Sequence, residues 1–182
     1  MSTRPPPPPD ARQVSLLILD VDGVLTDGSI YLDDLGNETK RFNVRDGFAI
    51  KLWQKMGFVA AIITGKSGKA VAYRAHELGI AHVVQGASDK AAALDSILQA
   101  TGARACEVAC IGDDWPDLPL MGRIAYPMAV ADADRLVLAR AVYTTRLPGG
   151  RGAVREAIEH LLAAKGLMDR AAKLYDSTHA AE

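Results

Sequence analysis

The stretch Leu16-Leu17-Ile18-Leu19-Asp20-Val21-Asp22-Gly23-Val24-Leu25-Thr26 constrains this chain more than any other. Four aliphatic residues with no polar break read as a short strand buried on both faces, as in the middle of a parallel sheet. Two aspartates spaced i and i+2 follow at once, so they sit at the strand's carboxyl end, where open α/β sheets bind their ligands. Gly23 lets the chain turn away immediately. Two carboxylates in one crevice repel each other unless a cation lies between them. The hard cation that suits such oxygen ligands is magnesium.

The remaining composition fits one globular domain with a full core: 182 residues, 49% hydrophobic and 24% charged. A formal net charge of −1 gives no general field to attract nucleic acid or an anionic membrane, so neither is expected as a partner. No apolar run approaches the roughly 18 residues of a membrane-spanning helix. Residues 1–10 lack the apolar segment of a secretory signal. Cys106 and Cys110 flank Val108-Ala109 in an apolar run. They read as buried structural thiols rather than a disulfide or a metal site, which fits a reducing, cytoplasmic location.

Prolines fill positions 5 to 9, so residues 1–12 are expected to form an extended, disordered leader. Residues 29–32 and 39–44 flank a polar Gly/Asn turn and predict a β-hairpin. Its faces are less polar than a lone hairpin needs, so it is expected to pack on something, a subunit partner being one candidate. Arg45-Asp46-Gly47 opens a helix whose apolar stripe is Ala49, Leu52, Trp53 and Met56. Residues 58–63 predict a second buried strand ending at Thr64-Gly65, followed by a helix over 67–78 and a short strand over 82–84. Ser88 is the expected cap of a helix reaching 101. Residues 107–111 predict a strand that ends in Gly112-Asp113-Asp114-Trp115-Pro116-Asp117. A short helix, a strand within 124–130, a helix near 133–140 and a strand near 141–144 follow. Val154, Ile158, Leu161 and Leu162 mark a last helix, stopped by Gly166, and 167–182 read as a weakly patterned tail. This alternation predicts a single α/β domain over 13–166, built on a doubly wound parallel sheet.

Four strand ends then carry polar residues: Asp20 and Asp22, Thr64, the region before Lys90, and Asp113, Asp114 and Asp117. In a parallel sheet these converge on one edge. Singly, each has a bland explanation: a solvated pair of acids, a helix cap, a surface lysine, a capped turn. Together and in this order they resemble the four motifs of the haloacid dehalogenase superfamily of aspartate-nucleophile phosphotransferases. The resemblance implies a Rossmann-like fold and Mg2+ held by Asp20, Asp113 and the backbone carbonyl of Asp22. It implies that Asp20 attacks phosphorus to form an aspartyl-phosphate and that Asp22 serves as general acid and then general base. Thr64 would bind a phosphoryl oxygen, Lys90 would neutralise phosphate charge and hold Asp20, and Asp114 and Asp117 would orient the metal site without binding the ion directly. Retention of Asp22 argues against dehalogenation, and retention of Asp20 argues against an inactive scaffold.

Superfamily phosphatases commonly carry a cap domain after the first or second motif. Here only the hairpin and one helix precede the strand that ends at Thr64, and one helix and one strand separate Lys90 from Asp113, so the enzyme is expected to be capless. Such a site stays open for a large substrate or is closed by a neighbouring subunit. Phe42-Asn43-Val44-Arg45-Asp46-Gly47, Gln85-Gly86 ahead of Lys90, and Gly149-Gly150-Arg151-Gly152-Ala153-Val154-Arg155-Glu156 are similar to the superfamily's capless sugar-acid phosphatases. That similarity implies a homotetramer whose hairpins form a central barrel. It also implies hydrolysis of an eight-carbon sugar acid phosphate on the route to lipopolysaccharide. The substrate residues it implies are Asn43, Val44, Arg45, Asp46, Gly47, Lys51, Lys66 and Arg74, with Asp22 and Lys90. Lys51 and Lys66 stand where the family carries arginine, keeping the charge but losing the bidentate fork. The alternatives are a phosphatase for a nine-carbon sugar acid phosphate and a non-catalytic tetrameric binding module. No G-x-G-x-x-G follows the first strand, which weighs against a dinucleotide site.

Overall fold

The computed structural model describes residues 9–176. Its centre is strand β1, Leu16–Leu19, all four residues buried. β1 lies between β4 (Val59–Ile63) and β6 (Val108–Gly112), parallel to both, with Leu19 beside Ile62 on one side and Ile111 on the other. Adding β5 (His82–Val84), β7 (Tyr126–Ala129) and β8 (Tyr143–Thr144) gives a six-stranded parallel sheet in the order β5-β4-β1-β6-β7-β8. The winding changes direction at β1, which is where such sheets open a ligand crevice. Matched registers make β1, β4 and β6 end together, so the residues after each emerge at one place.

The helices form two groups over the sheet. α1 (Val44–Lys55) packs against α2 (Lys69–Leu78) and against α6 (Ala153–Ala164). α3 (Lys90–Thr101) packs against α4 (Leu118–Met121), and α4 against α5 (Arg135–Arg140). The expected stripe of α1 is buried as Ala49, Leu52, Trp53 and Met56. The Trp53 indole N–H donates to the Val59 carbonyl at 2.8 Å and its ring stacks on Phe58, which fixes the turn from α1 into β4. The hairpin is present as β2 (Tyr31–Leu32) and β3 (Glu38–Thr39), antiparallel and outside the main sheet.

Several expectations are corrected locally. Asp89, not Ser88, caps α3: its carboxylate accepts from the backbone N–H of Ala91 and Ala92. An aspartate satisfies two free amides and complements the helix dipole, and the one-residue shift makes Lys90 the first helical residue. Cys106 is exposed on a 3-10 turn, because the strand starts only at Val108; Cys110 is buried as expected. The expected leader ends in structure: Ala11–Gln13 form a 3-10 turn with Ala11 buried, while residues 1–8 of the leader lie outside the described residues. The expected tail begins with helix α7, Met168–Lys173, anchored by buried Ala171, and Tyr175 packs against Phe48. The tail's residues 177–182 are also outside the described range.

Candidate active site

The three central strands deliver the expected acids to one cleft of about 230 Å3, lined by Asp20, Asp22, Thr64, Gly65, Lys66, Lys90, Asp113, Asp114, Pro116 and Asp117. Lys90 reaches in from the first turn of α3, only 5% exposed, and donates to Asp20 Oδ1 and Asp117 Oδ1, each at 2.6 Å. A buried lysine between two carboxylates stays charged: burial acts to lower its pKa, but the two acids outweigh it and hold it above the ordinary lysine range. Thr64 is buried at the end of β4, and its hydroxyl accepts from the Lys66 N–H at 3.4 Å.

Carboxylates of Asp20, Asp113 and Asp117 have oxygens that all lie within 4.8 Å of one another. Crowding and burial show in the proton affinities of Asp20 and Asp113. Asp20 is pushed up to about 6 by burial and the Asp117 charge, against the pull of Lys90. Asp113 is pushed up to about 8 by burial and then by Asp20 and Asp117. Such a set is under-neutralised by one lysine and fits a hard divalent cation with oxygen ligands, Mg2+. Asp117 is committed to protein groups on both oxygens: Oδ1 takes Lys90, and Oδ2 accepts the Asp113 N–H at 3.0 Å and the Asp114 N–H at 3.4 Å. It therefore shapes the loop that carries Asp113. Asp114 caps the turn Trp115–Asp117 by accepting the Trp115 N–H. The Asp22 side chain is outside the three-carboxylate group, leaving its carboxylate for another task.

Gly23 is required here. Its φ of +89° is a left-handed conformation, and a methyl group at its Cα would overlap the Asp113 carboxylate. Gly149 presses equally close on the Gly23 carbonyl, so the loop before α6 backs the loop after β1.

Of the expected substrate residues, Asp22, Lys66 and Lys90 line the cleft; Asn43, Val44, Arg45, Asp46, Gly47, Lys51 and Arg74 do not. Asn43 caps α1, accepting the Arg45 N–H at 2.8 Å. Val44 and Lys51 face outward. Arg45 lines a separate concavity of about 470 Å3 with Arg146, Arg151 and Arg155. Asp46 is buried, and its carboxylate accepts the backbone N–H of Gly152 at 3.2 Å and of Arg155 at 2.8 Å. It thus ties α1 to the start of α6. Gly47 makes room for the Arg74 guanidinium, which also pairs with Glu77.

Sequence reasoning missed Lys40. This residue follows β3, its side chain is 3% exposed, and Nζ lies 2.5 Å from Asp22 Oδ1 and 2.9 Å from Glu38 Oε1. No sequence signal marks it, since a basic residue on a hairpin ordinarily faces water.

A parallel sheet whose central strand ends in an aspartate held by a buried lysine, beside a second aspartate and a carboxylate cluster fit for Mg2+, has the make-up of a phosphohydrolase site. Residues 79–158 match the sequence profile of the haloacid dehalogenase-like hydrolases, Hydrolase_3. The chain is 47% identical over 161 residues to 3-deoxy-D-manno-octulosonate 8-phosphate phosphatase KdsC of Escherichia coli K12, covering 88% of this chain and 86% of that protein. The crystal structure of the phosphatase of that name from Yersinia pestis superimposes with a TM-score of 0.86 at 45% identity, covering 87% and 86% of the two chains. That from Moraxella catarrhalis, in complex with magnesium, phosphate and KDO, gives 0.88 at 38% identity, covering 91% and 95%. The chain belongs to the KdsC phosphatase family of haloacid dehalogenase-like hydrolases.

Proposed function

We propose that this protein hydrolyses 3-deoxy-D-manno-octulosonate 8-phosphate to the free sugar acid and inorganic phosphate, with Mg2+ as cofactor, in lipopolysaccharide biosynthesis. The observation that carries the reaction class is Asp20, fixed by Lys90 at 2.6 Å at the end of β1, with Asp22 and Thr64 in the same cleft. Asp20 attacks phosphorus; the bond from phosphorus to the sugar oxygen breaks as the bond to the Asp20 carboxylate forms. Asp22 gives the departing alkoxide its proton. Asp22 then takes a proton from water, which attacks phosphorus and frees Asp20 and phosphate. Thr64 donates to a phosphoryl oxygen, and Lys90 offsets negative charge as it develops. Asp20, Asp113 and the Asp22 carbonyl would hold the Mg2+, which would supply further positive charge at the phosphoryl group.

The sugar acid also carries a carboxylate, for which this cleft offers Lys66. Arg45, Lys51 and Arg74 lie outside their own chain's cleft, so a substrate role for them calls for a neighbouring copy, as in a homotetramer. The hairpin supports the same assembly: Ile30, Tyr31, Leu32 and Leu35 are exposed, Leu35 to 87%. Two strands alone are marginal in water, and an apolar ribbon of this kind calls for cover. No described helix is long and apolar enough to cross a membrane. The two unpaired thiols support a reducing compartment, the cytoplasm.

The test is phosphate release from a panel of sugar phosphates with and without Mg2+. The eight-carbon acid phosphate is expected to be the preferred substrate and turnover to vanish without Mg2+ and in Asp20→Asn. Preference for a nine-carbon acid or a hexose phosphate would overturn the substrate assignment, and an active Asp20→Asn enzyme would overturn the nucleophile.

A further inference from the structure

Asp20 and Asp22, the two aspartates that follow β1, have matching supports. Asp20 is held by Lys90, which also binds Asp117; Asp22 is held by Lys40, which also binds Glu38. The first lysine comes from a helix of the main body, the second from the residue that follows the hairpin's last strand. Among the described residues Lys40 is the one side chain that hydrogen-bonds the Asp22 carboxylate. It takes Oδ1 and leaves Oδ2 without a side-chain partner. A carboxyl that passes a proton to an ester oxygen must present one oxygen along a narrow line, and a free side chain spreads over several rotamers. Glu38 matters because it anchors the ammonium from the other side, and the burial of the Lys40 side chain limits competing water.

We infer that Lys40 is a positioning residue for the reaction: it holds Asp22 by one oxygen so that the other faces the leaving group. The inference rests on the phosphatase reading above. It makes the hairpin part of the catalytic apparatus and assigns a role in proton delivery to an element outside the main sheet. It also separates the two aspartates by function, since loss of Lys40 leaves the Asp20–Lys90 pair untouched.

Leaving-group chemistry distinguishes positioning from other roles. Full-length enzyme with Mg2+ is mixed in excess with either the sugar acid phosphate, whose alkoxide needs a proton, or p-nitrophenyl phosphate, whose phenolate needs almost none. Single-turnover cleavage is then followed, so that only the first chemical step is read. In Lys40→Met the sugar ester is expected to slow about 10- to 100-fold, a part of what a general acid supplies. Cleavage of p-nitrophenyl phosphate should change by less than about threefold, and saturating concentrations should be similar for both. Lys40→Arg keeps a buried cation and should recover much of the loss on the sugar ester. Equal slowing of both esters would overturn the inference, because it would mean that Lys40 binds the phosphoryl group or merely stabilises the fold. No slowing would overturn it as well. If Lys40→Met does not fold, Lys40→Arg decides alone, with the same selective loss expected in smaller measure and an equal loss on both esters against it. A wild-type enzyme that cleaves neither ester would sink the phosphatase reading itself, a different outcome from any of these.

Discussion

At the scale of residues the site is a balance of crowded charge. Asp113 at about 8 and Asp20 at about 6 are both raised by burial and by neighbouring acids. The sign of the consequence follows from linkage. Below the ordinary carboxylate range folded and unfolded chains are both protonated, and these groups cost the fold nothing. Above that range the unfolded chain releases its protons while the folded one keeps them, so stability falls with rising pH until the folded groups titrate too, near 6 and then near 8. A chelated sample is therefore expected to lose melting temperature between about pH 5 and pH 8.5, and the gain on adding Mg2+ should grow over that range. A gain from Mg2+ that stays flat with pH in calorimetry would contradict this account. Gly23 is a second residue-scale test. Gly23→Ala forces a side chain into a left-handed backbone and against Asp113, at a cost of about 2 kcal/mol in urea unfolding. It should weaken Mg2+ binding as well, whereas a strain effect remote from Asp113 would leave that affinity alone.

At the scale of elements, the chain's alternation of aliphatic runs and helical stripes made the sheet and its order of elements readable, because β1, β4 and β6 are buried on both faces and carry no conflicting signal. The convergence of Asp20, Thr64, Lys90 and Asp113 was readable for the same reason: a parallel sheet sends all its strand ends to one edge. Asp46 was not. The similarity to the sugar-acid phosphatases offered Asn43 to Gly47 for substrate, and nothing local shows that the Asp46 carboxylate meets amides more than a hundred positions away, at Gly152 and Arg155. Lys40 was hidden likewise, since no local pattern tells a hairpin lysine that faces water from one that folds back onto an acid. Asp46→Ala leaves two amides at the α6 start without their acceptor and should destabilise the protein by about 2 kcal/mol. Activity per folded molecule should persist well below the melting temperature. A selective loss of substrate affinity instead would restore Asp46 to the binding site.

At the scale of the whole molecule, the body is closed and the hairpin is not. Leu32 and Leu35 are 65% and 87% exposed on an element that reaches the cleft through Lys40. Replacing both by glutamate is expected to lower the oligomeric state in sedimentation and to reduce turnover of the sugar ester, with the melting of the sheet domain little changed. If the double variant sediments as the wild type does, the hairpin is not the assembly element.

The outer strands of the main sheet, β5 and β8, are three and two residues long. Short margins of this kind give a passing extended chain little backbone to pair with, so the body is poorly suited to seed fibrils. The ribbon of β2 and β3 is as short, two residues a strand, but it differs in carrying exposed Tyr31, Leu32 and Leu35 beside margins that no other described strand pairs. In the proposed homotetramer, four such ribbons in a ring would leave no margin free, because each strand would find a neighbour. Closure of that ring would then protect the protein from runaway association, and the same surface left unmatched in a dilute or mutant protomer would be where association begins.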